Sequence, residues 1–338
     1  MSIVNIKNEW DPLEEIIVGS ALGAQIPRLD KGLKLIQGDS KIGAAGPFPK
    51  RIIEETEEDL ENLCQTLRRL DIRVRRPKII STDKVFASPF WESDGMYHYC
   101  PRDILLTIDD MIIETPMSLR SRQYEVNAYK DFLIECLQSG SKWISAPKPE
   151  LLDHTYNNVN AEENILSEHE PIFDAANVLR AGNDIIYLVS STGNKMGAKW
   201  LQSILGSQYK VHLCENMYKY THIDTTITLL REGLVLINPE RVTCDNLPDF
   251  FKDWEVIEAP EMEDLGYTDV AYGSVWIGMN FIMINPNLAI VCKHQKKLIK
   301  ILEEHSIDVI PLELRHARTL GGGFHCVTLD VRRSRKKK

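Results

Sequence analysis

Apolar and polar positions alternate along the chain in short bursts, and the bursts come in a recurring order. The pattern predicts a strand at Glu14–Gly19, just after Trp10-Asp11-Pro12. Residues 21–49 carry no periodicity and read as a long loop, of a length that often serves function. Next, Leu60, Leu63, Cys64, Leu67 and Leu70 share one face of a helix, which feeds a strand at 72–75. From there a polar-turned hairpin, a helix and a closing strand repeat. The first set is Ile104–Ile108, the turn Asp109-Asp110, Met111–Glu114, a helix, and Lys142–Ser145. Its helix turns Val126, Tyr129, Phe132, Leu133, Cys136 and Leu137 inward and ends at Gly140. The second set is Asn177–Arg180, Ile185–Val189, a helix over 194–205 and Tyr209–Leu213. The third is Thr225–Leu230, Leu234–Ile237, a short helix near Pro248–Trp254 and Val256-Ile257. The fourth is Phe281–Ile284, Leu288–Val291, a helix over 295–305 and Val309–Leu312. These copies repeat elements without repeating residues. The strand after Cys326 lacks a hairpin partner, as does the N-terminal strand, so pairing of the two would close the set into a ring.

Composition changes this picture little. A chain of 338 residues, 43% hydrophobic and 26% charged, suits a soluble globular protein of one large domain or two small ones, and the repeat and the resemblance given below favour a single domain, residues 1–331. No apolar stretch approaches the roughly 18 residues of a membrane span. The start, Met1-Ser2-Ile3-Val4-Asn5, has neither the charged nor the apolar region of a signal peptide. Seven scattered cysteines, never in a C-x-x-C pair, argue against a disulfide framework or a zinc ribbon and for a reducing cytoplasm. The net charge of −9 argues against nucleic acid as a partner. Only residues 332–338 are strongly basic, and they read as a solvated, disordered tail.

Charge and nucleophilicity concentrate where the hairpins begin. Asp103, Asp174, His222, Ser274 and Cys326 recur at separations of 71, 48, 52 and 52 residues. With Asp224 they amount to one thiol, one imidazole, three carboxylates and a hydroxyl. Each has a plain structural alternative: Asp103 and Asp174 as turn or cap residues, His222 as a satisfied core histidine, Asp224 as the partner of a surface arginine, Cys326 as a buried thiol. Their equivalent places in the repeat favour function. A thiol, a histidine and a carboxylate make a nucleophile, an acid/base and its orienting partner. The extra carboxylates suit a planar guanidinium, which they hold in bidentate pairs. Three glycines, Gly321–Gly323, precede Cys326 and read as the close approach by which such a substrate reaches the sulfur. They are no phosphate loop, since a strand follows and no Lys-Ser/Thr ends them.

Longer stretches then carry a resemblance. They include Asn8–Glu15, Tyr99–Asp103, Glu114–Met117, Arg120-Ser121-Arg122, Ala146–Pro149, Phe173–Val178 and Leu320–Cys326, and they reach Leu329–Arg333. The chain resembles the arginine amidinotransferases, the inosamine-phosphate type more closely than the glycine type. The resemblance implies a pentein α/β-propeller, five ββαβ modules with pseudo-fivefold symmetry. It implies Cys326 as nucleophile, His222 as general acid/base and Asp174 as its partner. Asp103 and Asp224 would hold the guanidinium, and Arg241 and Ser274 would meet the amino-acid end of the donor. Glycine amidinotransferase has two adjacent serines where this chain has Gly273-Ser274, so only Ser274 carries over. The acceptor amine is then glycine or an aminocyclitol phosphate such as scyllo-inosamine 4-phosphate; glycine amidinotransferase has a methionine where this chain has Thr221, and the smaller residue leaves room for an acceptor larger than glycine. Lys219 reads either as a solvated loop lysine or as a contact to a phosphate or carboxylate of that acceptor. No metal or cofactor is implied, the substrates are small molecules (L-arginine and an amine), and a homodimer is the family's habit. An arginine deiminase on the same scaffold, and a non-catalytic arginine-binding protein, are the other readings.

Overall fold

In the computed structural model, residues 2–37, 41–156, 166–243 and 245–334 are described. Five three-stranded sheets carry the chain, and four of them share one connectivity. In each, an antiparallel hairpin is followed by a crossover and a strand parallel to the hairpin's second strand. Leu105–Ile108 and Met111–Glu114 precede Lys142–Ser145; Val178–Ala181 and Asp184–Leu188 precede Lys210–Cys214. Ile227–Arg231 and Leu234–Ile237 precede Glu255–Glu258; Ile282–Asn285 and Leu288–Cys292 precede Asp308–Leu312. The middle strands are apolar runs buried on both faces, as a strand must be when covered on both sides. The closing strands lie at the sheet edges and are half exposed.

The fifth sheet joins the two ends of the chain. Leu13–Val18 pairs antiparallel with Thr328–Arg333, with Ile16 opposite Asp330 and Val18 opposite Thr328, and parallel with Arg73–Arg75. The two strands without hairpin partners are therefore partners of each other. The crossover is the helix Lys50–Arg69, which buries Leu60, Leu63, Cys64 and Leu67 as its spacing predicts. No sheet closes on itself among the described residues. No helix among them is long and apolar enough to cross a membrane.

Three expectations are corrected. Residues 21–49 hold a helix, Lys31–Gln37, whose Leu33 N–H is capped by Asp30 Oδ1 at 2.7 Å. Its two buried apolar positions, Leu33 and Ile36, are too few to register as a period. Leu137 points outward, 55% exposed, while Val126, Tyr129, Phe132, Leu133 and Cys136 are buried. Here the 3-10 turn Glu125–Tyr129 precedes the helix Lys130–Gln138, and the change of pitch rotates the buried face. Finally, Arg332 and Arg333 do not open a tail; they complete the last strand. Ser334 follows the strand, its N–H bonded to the Pro12 carbonyl at 2.8 Å, and residues 335–338, the rest of the expected tail, lie outside the described residues.

Arg333 belongs to a buried ionic cluster that binds the ends of the chain to the sheets. Arg180 Nε donates to Glu9 Oε1 at 2.7 Å and Arg102 Nη2 to Asp330 Oδ1 at 2.7 Å, while Arg333 Nε reaches Asp330 Oδ2 at 2.9 Å. Buried charges persist only when paired in this way. His325 Nε2 lies 3.4 Å from Glu9 Oε2 and links the cluster to the residue next to Cys326.

Candidate active site

The sequence-predicted residues arrive on separate structures. Asp103 sits in the four-residue helix Pro101–Ile104, directly before a hairpin, and Cys326 stands just before the strand Thr328–Arg333. Asp174 precedes the 3-10 turn Ala175–Asn177, and His222 lies in the loop before Ile227–Arg231. Ser274 is further off, separated from its strand by the 3-10 turn Val275–Met279. The five are thus near the hairpin entries but not at one equivalent point.

They nevertheless converge. An oxygen of Asp103, a ring nitrogen of His222 and Cys326 Sγ all lie within 4.8 Å of one another. His222 Nε2 meets Asp174 Oδ2 at 3.0 Å, which leaves Nδ1 facing Asp103 Oδ1 at 3.7 Å. Asp174 is itself fixed, because its Oδ1 accepts the Ser118 N–H at 2.8 Å and the Ser118 hydroxyl at 2.9 Å. His222 holds this pose in a left-handed backbone conformation, φ +61°, uncommon for a residue with a side chain. Cys326 Sγ donates to Asp224 Oδ2 at 3.0 Å, and His325 Nδ1 reaches the same oxygen at 3.1 Å. Asp103 Oδ2 is paired with the buried Arg122 at 2.7 Å, while its Oδ1 has no hydrogen-bond partner among the described residues.

Above these groups opens a cavity of about 320 Å³, lined among others by Thr221, His222, Asp224, Ser274, Arg318 and Cys326. Arg241 is not among its described lining residues. Its guanidinium carbon lies 3.6 Å from the Tyr218 ring centre, and it donates to Thr225 Oγ1 at 2.8 Å and to Ser274 Oγ at 3.3 Å. Lys219 is also absent from the described lining: it is exposed, its ammonium 5.4 Å from the Tyr220 ring. The lysine and arginine on the described lining are Lys41 and Arg318, which stand 4.9 and 4.7 Å from the Tyr267 ring.

The triple glycine is corrected as well. A Cβ on Gly322 would stand 2.6 Å from Cys100 Sγ and 3.0 Å from the Tyr99 ring. One on Gly323 would stand 2.5 Å from the Asn280 carbonyl oxygen and 2.8 Å from Asn280 Oδ1. These two glycines admit protein neighbours that pack around the cysteine; only Gly321 of the three lines the cavity.

Electrostatics set the resting protonation. Burial pulls the His222 imidazole down, but the Asp103 charge, the Asp174 hydrogen bond and the Cys326 sulfur outweigh it, holding its pKa well above the usual value. Cys326 is pushed well above an ordinary thiol by its hydrogen bond with Cys100, by burial and by the Asp224 charge, with His222 opposing. Burial would raise Asp224, yet the hydrogen bond and charge of His325, with His222 and the Cys326 thiol behind them, hold it at about 2. Burial raises Asp103 against the pull of His222 and Arg122. These influences favour the protonated thiol and the cationic histidine, so a cation entering the cavity would shift the balance toward the thiolate.

Asp103, His222 and Cys326 carry atoms that could ligate a metal. Two features oppose a resident ion: Arg122 already holds Asp103 with a full buried charge, and the sulfur is engaged by Asp224 and Asn280. Arg122, Ser118, Asn280 and His325 were not singled out from the sequence. Arg122 was visible only inside a matching stretch, and a lone asparagine before a strand carries no pattern.

Fold and thiol–histidine–carboxylate geometry together define a class, the pentein-fold enzymes. Dimethylarginine dimethylaminohydrolase, 16% identical, aligns with a TM-score of 0.59 over 94% of this chain and 99% of its own, a likeness of fold alone. Within that class the match narrows. The structure of an inosamine-phosphate amidinotransferase of Streptomyces griseus has 51% identity and a TM-score of 0.96, covering 99% of this chain and 98% of that one. Inosamine-phosphate amidinotransferase 1 of Streptomyces glaucescens is 52% identical over 340 residues, 99% of this chain and 98% of the relative. The L-arginine:L-lysine amidinotransferase of Pseudomonas savastanoi pv. phaseolicola is 38% identical over 341 residues, 97% of this chain and 94% of the relative. No family model matches the chain. The chain belongs to the amidinotransferase family, and it is a transferase.

Proposed function

We propose that the chain moves the amidino group of L-arginine to an amine through a covalent amidino-cysteine on Cys326. The observation that carries this reading is the meeting of Asp103, His222 and Cys326 atoms within 4.8 Å, with Asp224 3.0 Å from the sulfur. The guanidinium enters between Asp103 and Asp224, takes over the Asp224 oxygen now accepting the thiol proton, and that proton passes to solvent through the cavity, leaving His222 protonated. The thiolate attacks the guanidinium carbon. His222 gives its proton to the side-chain nitrogen, the C–N bond breaks, and ornithine departs. An acceptor amine then attacks the amidino carbon, His222 takes its proton, the C–S bond breaks, and the thiolate returns. Asp174 holds the imidazole for both transfers. Ser274 takes the amino-acid end of the donor, with the positive field of Arg241 behind it.

The acceptor is an amine larger than glycine, of the aminocyclitol phosphate kind. Support comes from Thr221, from the roughly 320 Å³ cavity, from Lys41 and Arg318 on its lining, and from the names of the relatives. The five sheets are taken to stand around a pseudo-fivefold axis as a propeller, in a cytoplasmic homodimer. The pairing of the terminal strands supports the ring. Incubation with arginine and a panel of glycine, lysine and aminocyclitol phosphates, followed by mass spectrometry, tests the assignment. Ornithine with a guanidinylated aminocyclitol phosphate is the expected result. Citrulline without transfer would identify a hydrolase instead, and selective use of glycine would overturn the acceptor.

A further inference from the structure

Asn280 is a neighbour of the Cys326 sulfur to which the transfer steps give no part. Asn280 follows the 3-10 turn Val275–Met279, and its side chain meets Cys326 twice. Its Oδ1 accepts the Cys326 backbone N–H at 2.9 Å, and its Nδ2 lies 3.1 Å from Sγ. A backbone N–H can only donate, so it fixes which end of the amide is oxygen and leaves the NH2 on the sulfur. A neutral thiol gains little from that donor, whereas a thiolate gains a charge-assisted hydrogen bond. Asn280 is 2% exposed, so the donor is held dry. The loop is shaped to admit it, since any side chain on Gly323 would strike its carbonyl oxygen and its Oδ1.

The groups around the sulfur make such a donor count. Asp224 and Asp103 face it with negative charge, Cys100 shares a hydrogen bond with it, and the phenol of Tyr99 is buried nearby. His325 is engaged with Asp224 and Glu9. His222 favours the ionised sulfur, but it surrenders its proton during the first half-reaction. At that moment, and again when the thiolate is expelled in the second half-reaction, the Asn280 amide is the fixed positive dipole on the sulfur.

We propose that Asn280 is a further catalytic residue of this transferase, its amide N–H stabilising the Cys326 thiolate in both half-reactions while its carbonyl oxygen anchors the nucleophile's backbone. The assignment rests on Cys326 being the nucleophile. Asn280→Asp separates the two tasks, because one oxygen still accepts the Cys326 N–H while the other faces the sulfur without a proton to give. Ornithine release from arginine is expected to fall about 10²-fold in Asn280→Asp, as for loss of one oxyanion donor, with KM for arginine changed less than about threefold. The pH profile for alkylation of Cys326 by iodoacetamide, read on the peptide by mass spectrometry, is expected to move upward by about one unit or more. Gly323→Ala, which presses on the amide without replacing it, is expected to move that profile the same way. Activity within about threefold of wild type in Asn280→Asp overturns the proposal. So does lost activity with an unmoved alkylation profile in both variants, which marks a merely structural role. Cys326→Ala separates the two levels: ornithine release by that variant removes the nucleophile itself, whereas an inert Cys326→Ala beside a normal Asn280→Asp removes only Asn280.

Discussion

Asp174→Asn is the substitution whose consequence the site geometry fixes most tightly. Ser118 donates to Asp174 Oδ1 twice, through its N–H at 2.8 Å and its hydroxyl at 2.9 Å. In the asparagine variant those donors hold the carbonyl oxygen in place and turn the NH2 toward His222 Nε2. That nitrogen must then accept, so the ring proton moves to Nδ1, the atom that faces Asp103 and Cys326. The base is blocked and the imidazolium loses its counter-charge. Attraction between unit charges 3.0 Å apart at an effective dielectric of about 20 is about 5 kcal/mol. At about 1.4 kcal/mol per factor of ten this is a loss of 10³- to 10⁴-fold, in the range known for a carboxylate-to-amide change behind a catalytic histidine. The assay is single-turnover ornithine formation from arginine, with the melting temperature as control for folding. A folded variant that keeps more than about a tenth of wild-type rate would refute the tautomer argument.

Other expectations follow from the same structure. Arg122→Met strands Asp103 and Glu125, both buried partners of its guanidinium, and should cost about 3–5 kcal/mol in urea unfolding; a loss under about 1 kcal/mol would contradict the pairing. Gly322→Ala sets a methyl 2.6 Å from Cys100 Sγ, so stability should fall by about 1–3 kcal/mol and displacement of the cysteine loop should lower activity about 10²-fold. Wild-type turnover after this change would show that the loop yields freely. The raised pKa of His222 also has a stability signature. Its contribution is complete below the unfolded-state value of about 6.5 and is lost as pH rises through the higher folded-state value. The stability gap between wild type and His222→Gln, measured by urea unfolding, should therefore narrow from pH 6 to pH 9, and a widening gap would reverse the sign.

Much of the fold was legible because the hairpins are short, apolar and separated by turn residues. Each buried middle strand announced itself as an uninterrupted run, and the long helix Lys50–Arg69 as a face of leucines. What escaped had physical reasons. Lys31–Gln37 offers too few turns for a period, and Leu137 follows a change of helical pitch. Arg333 looked like tail because a strand that buries an arginine against Asp330 cannot be told from a solvated basic run by composition. Cys326, His222, Asp174, Asp103 and Asp224 are readable as site candidates from residue type and from resemblance. Their supports are not: Ser118, Arg122, Asn280 and His325 act through distances that spacing does not encode. Lys219, two residues from Thr221 in sequence, holds its ammonium near the Tyr220 ring and outside the described lining of the cavity.

The most direct test is to trap the covalent intermediate. Wild-type protein is incubated with arginine alone, quenched in acid, digested, and the peptide that contains Cys326 is weighed. One amidino group on Cys326, formed with about one ornithine per active site and discharged by a competent amine acceptor, is the expected result. Ornithine release with an unmodified Cys326 peptide at every quench time, or an adduct on another residue, would contradict it.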